Sequence, residues 1–308
     1  MTTYIFRRLF YSIFVVIAVT ILVFLLSRLT GDAALLYLPE TASNEMIERY
    51  REIHGLNDPI LIQLGRFLSN AIRLDFGKSM WQKVPASDLV LQRLPLTLEL
   101  AFGTTFLSLF IATIIGVLAA LHPLGIFDSL TTGISLFGVT VPSFWLALIL
   151  IYLFSVRLGW LPTSGSGTWK HAILPMIVLV WGPTGYLVRV VRTSVLEQLS
   201  AAYLITGRAK GLSEIYLLFR HALPNAAFPI ITVASSTFIG IANGAVIVET
   251  VFGWPGIGKL TIDAISNRDF PVLQATVFVV GIVVVLTNLV LDLLYAAIDP
   301  RVRLETNA

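Results

Sequence analysis

Six apolar runs alternate with polar segments along this chain: Leu9–Leu29, Leu98–Leu121, Leu130–Val156, Ala172–Val188, Ala226–Val248 and Val272–Ile298. Each is close to the roughly 20 residues that a helix needs to cross a bilayer. The pattern therefore predicts an all-α membrane protein with six transmembrane helices. The fourth run is the weakest, because Pro175, Gly182, Pro183 and Gly185 interrupt it. Such breaks are tolerated where neighbouring helices or water satisfy the freed backbone groups. The first run follows Arg7-Arg8 and lacks a small-residue cleavage site, so it reads as a retained anchor rather than a signal peptide.

Basic residues orient the spans. Arg7 and Arg8 precede span one, Arg189, Arg192, Arg208, Lys210 and Arg220 lie between spans four and five, and Arg301 and Arg303 follow span six. With six spans all three groups fall on one side, which puts both termini in the cytoplasm. The link from His122 to Asp128 has no Lys or Arg and does not bear on the choice. The expected organisation is a cytoplasmic N-terminus with span one (1–29), an extracytoplasmic helical segment (30–96), a five-helix core (97–298) and a cytoplasmic tail (299–308). In the outer segment, Ser43 can cap a helix ending at His54 with Gly55 as its stop. Asp58-Pro59 reads as the start of a second helix, with Leu61, Leu64 and Leu68 as its packing stripe.

The cytoplasmic loop, 189–225, contains the most informative stretch, Glu197 to Asn225. It is polar, basic and of helical pattern, between two apolar runs. After Gly211, Ile215, Leu218, Phe219, Ala222 and Leu223 recur at helical spacing and form one stripe, with Glu214, Arg220 and His221 on the other side. A short amphipathic helix there can lie on lipid, dock into a groove on a soluble partner, or rest against its own bundle.

Composition narrows the chemistry. Of 308 residues, 56% are hydrophobic and 13% charged, against about 25% charged in a soluble domain. The chain has no cysteine, which removes disulfides and thiolate chemistry. A net charge of +3 without a dense Lys/Arg block argues against nucleic acid as a partner. Gly253–Leu260 (GWPGIGKL) nearly matches a phosphate-cradling loop, but Leu260 replaces the magnesium-holding hydroxyl and Pro255 removes a backbone donor. It reads instead as a tight re-entrant turn. His54, His122, His171 and His221 are scattered without metal-ligand spacing. No catalytic motif argues for the alternative of a stand-alone intramembrane enzyme.

Polar groups inside spans are costly and invite a role. Pro142-Ser143 and Asn243-Gly244 are candidate pore-facing breaks. Glu249 is a candidate gate or an interhelical hydrogen-bond partner. Glu249 and Asp292 would be the proton sites of an ion-coupled carrier, were the chain to work alone.

Further along, longer motifs accumulate. Thr206, Arg208, Ala209, Lys210, Gly211 and Leu212 match TARAKGL, and His221, Ala222, Leu223 and Asn225 match HALRN. GLNDP (55–59), LDFGKS (74–79), RLPLTLEL (93–100), VPSFW (141–145), LGWLPTSG (158–165), ETVFGWPGIG (249–258), RDFPV (268–272), DLLY (292–295) and DPRVR (299–303) follow in order. In these motifs the chain resembles, along its whole length, the first permease subunit of bacterial binding-protein-dependent ABC importers of the dipeptide/oligopeptide/nickel branch. Gly207 stands where that family usually has alanine.

The resemblance implies the type I importer permease fold and a transport subunit without catalysis. It implies as partners a second homologous permease, two ABC ATPases that carry ATP and Mg, an extracytoplasmic solute-binding protein and the lipid of the inner membrane, with no cofactor on this chain. The loop residues Arg208, Ala209, Lys210, Gly211, Leu212, Ile215, Leu218, Phe219, Arg220 and His221 would contact an ATPase. Pro142, Ser143, Asn243 and Glu249 would line or gate the pathway. Di- or oligopeptides are the expected cargo, with nickel chelates or other small solutes as the alternative within the branch.

Overall fold

A computed structural model describes residues 2–29, 34–35, 38, 41–53 and 55–298. The expectations for His54 and for the 299–308 tail lie outside the described residues, as does the side chain of Asp292. The described residues are helical apart from loops and an isolated antiparallel bridge between Lys78 and Pro85. Among the described residues four helices are long and apolar enough to cross a membrane, or five if one bent pair counts as a single span. The chain divides into two compact units.

The first unit is Met1–Leu96 with Gly256–Leu289. It holds α1 (Thr2–Leu29), α2 (Asn44–Ile53), α3 (Ile60–Ile72), the start of α4 (Ala86–Leu121), α11 (Ile257–Ser266) and most of α12 (Phe270–Ile298). Ser43 caps α2 as expected, its Oγ accepting from Met46 N at 3.2 Å. Pro59 rather than Asp58 takes the N-cap position of α3. The Asp58 carboxylate is instead 2.8 Å from Arg66 Nη2, which draws it away from the helix end.

The α3 stripe also differs from its expectation. Leu64 and Leu68 are half-buried but Leu61 is exposed, whereas Phe67 and Ala71 join a core with Phe76, Val90, Ile257 and Val272. Phe67 sets that face because its ring stacks on Phe24 of α1 at 5.0 Å. Two distant motifs meet here. Asp269, nearly inaccessible, accepts from Ser79 Oγ at 2.5 Å, Met80 N at 3.1 Å and Trp81 N at 3.3 Å. Nothing in the local pattern at either motif foretells this clamp.

The second unit is Thr97–Pro255 with Val290–Ala308. It contains the rest of α4, α5 (Ile126–Thr140), α6 (Ser143–Arg157), α7 (Trp169–Leu199), α8 (Ala202–Ala209), α9 (Glu214–Ala242) and α10 (Val246–Val251). The expected third span is two helices, α5 and α6, bent by 96°. Pro142 explains the bend. It lacks an N–H and pushes Val141 to an extended ψ of 119°.

The weak fourth run is a span without a break: α7 is one 31-residue helix with Pro175 and Pro183 inside it. Gly185, the last of its supposed breaks, is a packing device. A Cβ there would lie 2.6 Å from the Ser135 carbonyl oxygen, so only glycine permits this approach of α5. The fifth run ends early, at Ala242. Asn243 caps α9, and Gly244 takes φ of +101°, a conformation that glycine adopts without strain. The turn at Gly253 is tight, as expected, with φ of +57° and Trp254 N bonded to Glu249 O at 2.8 Å.

Asp128 and Arg192 form a bidentate ion pair, one of its bonds being Arg192 Nη2 to Asp128 Oδ2 at 2.6 Å. The carboxylate is almost wholly buried. It ties the start of α5 to the last turns of α7.

Candidate functional site

The polar segment between α7 and α9 is built as a braced helix–turn–helix. Gly211 is the pivot, with φ of +79°. Around it Gly211 N bonds to Arg208 O at 2.9 Å and Leu212 N to Gly207 O at 3.2 Å. These two bonds make a Schellman end to α8, which requires a left-handed residue after the cap. Ser213 then caps α9, its Oγ accepting from Tyr216 N at 3.3 Å.

Arg208 locks three elements together. Its Nε and Nη2 donate to the Glu214 carboxylate at 2.8 and 3.2 Å, and its Nη1 donates to Leu199 O at 3.2 Å. The Glu214 carboxylate holds the Arg208 guanidinium above its ordinary pKa. Asn225 adds a second brace, donating to Tyr203 Oη at 3.1 Å.

The structure divides the expected apolar stripe in two. Leu218 and Ala222 turn inward with Leu217, against Leu187, Val191 and Val195 of α7 and Leu204 of α8. Leu218 is 5% exposed and is not a contact surface. Ile215 and Phe219 face outward, 72% and 65% exposed. The cause is a π turn at Leu218–Ala222, which changes the angle between successive side chains. A second correction concerns length. The helix after Gly211 is not a separate short rod, because it continues through the π turn into the apolar part of α9, 29 residues in all.

The sequence-predicted residues therefore sort as follows. Ala209, Lys210, Leu212, Ile215, Phe219 and Arg220 are exposed around the pivot, and His221 is half-buried. Arg208 is exposed too and is part of the brace through Glu214. Leu217 escaped the sequence reading although it fills the joint. A Cβ on Gly207 would lie 2.6 Å from Leu217 Cδ2, so an alanine there would require the Leu217 side chain to shift.

Among the pathway candidates, Pro142 and Asn243 are exposed and Ser143 half-buried. Helix α6 packs on α10 through Ala147, Val248 and Phe252. Glu249 has no accessible surface and accepts from Thr97 Oγ1 at 2.8 Å, so it lines no open passage in this structure. Among the described residues no group of three or more His, Asp or Glu could hold a metal.

The described residues form an all-helical chain with several membrane-length apolar helices and a braced helix pair between two of them. Residues 112–304 match the binding-protein-dependent transport system inner membrane component, and residues 1–101 match the N-terminal region of such components. The chain belongs to this family. It is 39% identical over 314 residues to the oligopeptide transport system permease protein AppB of Bacillus subtilis, covering 98% of this chain and 99% of that one. It is 38% identical over 304 residues to the glutathione transport system permease protein GsiC of Escherichia coli K12, covering 98% and 99%. The fold is similar to that of a chain of the MetNI methionine ABC transporter in an inward-facing conformation. The TM-score is 0.58 at 19% identity, over 68% of this chain and 96% of that chain. The protein is thus a membrane permease subunit of an ABC importer, not an enzyme.

Proposed function

We propose that this chain is one of two permease subunits in an importer of di- or oligopeptides, driven through its Gly211 helix pair by separate ATPases. In this reading Ile215 and Phe219 enter a cleft on one of two ATPase subunits, with Leu212 beside them and Lys210 and Arg220 at the rim. ATP and Mg bind the ATPases. Their closure favours one of two states of the assembly, and the differential binding of ATP supplies the drive. Helix α9, roughly 40 Å long at about 1.5 Å per residue, carries the motion into the bilayer. A solute-binding protein delivers cargo from outside.

The carrying observation is the pairing of exposure with bracing. Two large apolar side chains stand out at the end of a helix whose opposite face is fixed to α7 and α8. Peptide cargo is supported by the names of the relatives above.

Six spans with both termini in the cytoplasm are part of the same proposal, α1 and the bent α5–α6 pair completing the count. Contacts within each unit support it. Ser27 near the end of α1 meets Gln274 near the start of α12 at 3.0 Å, as two outer ends should. Asp128 and Arg192 join the 2–3 link to the end of α7, as two inner ends should. The segment 30–96 then lies outside. The test is uptake by Phe219→Asp and Gly211→Pro variants. Both should abolish transport and weaken ATPase association while the chain stays in the membrane, and full uptake in both would refute the proposal.

A further inference from the structure

Helix α3 in the first unit has two apolar faces, and the transport reading uses neither. Phe67 and Ala71 form the face that joins the core of that unit. Leu61, Leu68 and Ile72 form the other, since steps of seven and four residues return to one side of a helix. Leu68 is half-buried, but Leu61 and Ile72 are 76% and 81% exposed. Arg66, Ser69 and Arg73, also exposed, fall on a third side together with Ile62.

The neighbours of α3 fix its depth. Charges are costly in hydrocarbon, so Arg8 and Arg28 bracket the lipid-embedded part of α1. Twenty residues separate them, roughly 30 Å at about 1.5 Å per residue, which is the thickness of a bilayer's apolar core. Phe24 lies one turn inside Arg28, and its ring stacks on Phe67 of α3 at 5.0 Å. Phe76, one turn beyond Ile72, meets Phe278, two turns inside α12, with ring centres 5.4 Å apart. Helix α3 is therefore tied at both ends to the boundary between headgroups and acyl chains, the layer in which amphipathic helices lie about 5–10 Å deep. Trp81 agrees with that level. Its N–H donates to Asp269 at 3.3 Å, just before α12 begins, and the residue is 72% exposed. Tryptophan favours this layer.

We propose that α3 is an in-plane membrane helix whose Leu61–Leu68–Ile72 stripe rests on the acyl chains of the adjoining leaflet. The stripe continues the lipid-facing surface of α1 past its last turns, while Arg66 and Arg73 stay at headgroup level. A helix held in that layer opposes sliding of α1 along its own axis. Movement one way draws Leu61 and Ile72 into water, and movement the other way draws the arginines into hydrocarbon. The placement holds whichever side of the membrane this end of α1 faces.

The test is depth-resolved quenching. Leu61→Cys and Ile72→Cys each place one thiol on the stripe of a chain that has none, and Glu45→Cys places one on the exposed polar surface of α2. All three positions are exposed, so the substitutions leave the core intact. Each full-length variant is labelled with the fluorophore NBD in lipid nanodiscs, alone and with its co-purified partner subunits. Lipids brominated near the glycerol end of their chains should quench both stripe labels at least about twofold more than lipids brominated near the methyl end. Partner subunits should leave that quenching unchanged, and the Glu45 label should escape it. No lipid quenching of the stripe labels, its loss when partner subunits bind, or stronger quenching from the methyl end would each overturn the proposal. So would a Glu45 label quenched as strongly as the stripe labels. The readout needs neither ATP nor uptake, so its failure is distinct from failure of the Gly211 helix pair as the coupling element.

Discussion

Truncating Phe219 to alanine separates the surface reading of the Gly211 helix pair from a structural one. The ring is 65% exposed in this chain, so its loss removes little from the fold. A phenylalanine buries about 200 Å² when enclosed, and two-thirds of that is about 130 Å² left for a partner to cover. At about 25 cal/mol per Å² the missing contact is worth about 3 kcal/mol, roughly a hundredfold in affinity. The assay is titration of purified ATPase subunits onto the permease in nanodiscs, read beside thermal unfolding of the permease alone. Phe219→Ala should bind about a hundredfold more weakly and unfold as wild type does. Its neighbour Leu218→Ala should do the opposite, losing about 2–5 kcal/mol of stability through a core cavity. If Phe219→Ala bound ATPases at wild-type strength, the outward face of α9 would not be the docking surface.

Other expectations follow from the same geometry. Gly211→Pro removes the N–H bonded to Arg208 O and cannot adopt a φ of +79°, so it should cost at least about 3 kcal/mol locally and stop uptake in transport assays. Arg192→Met leaves the Asp128 carboxylate buried without its cation and should destabilise by about 3–5 kcal/mol in thermal melts, with much of the loss recovered in Asp128→Leu/Arg192→Met. Asp269→Ala strips the acceptor from Ser79, Met80 and Trp81 and should cost about 3 kcal/mol, read as faster proteolysis between Gly77 and Gln82.

Local chemistry explains which features were legible in the sequence. The Gly211 pivot could be read because a positive φ between two polar helical stretches selects glycine. The Ser43 cap and the Gly253 turn were readable for similar reasons. The division of the stripe into Leu218 inside and Phe219 outside was not. Helical periodicity assumes a constant angle per residue, and the π turn breaks that assumption just where the helix meets α7. Prolines illustrate the same limit. Pro142 bends its span and Pro183 does not, although both interrupt apolar runs. Val141 before Pro142 is extended and a new helix starts at Ser143, whereas Pro183 stays within one continuous helix. Asp128–Arg192 and Ser79–Asp269 join residues far apart in the chain, and no periodic pattern encodes them. Glu249 looked like either a gate or a hydrogen-bond partner, and its burial against Thr97 became visible only in three dimensions.

Because the chain lacks cysteine, one introduced thiol reports its position without background. The most direct measurement is labelling of Ile215→Cys by a membrane-impermeant maleimide, in intact spheroplasts and in inverted vesicles, with and without bound ATPases. The account predicts labelling in inverted vesicles alone, suppressed when the ATPases are present. Labelling in intact spheroplasts, or no protection by the ATPases, would contradict it.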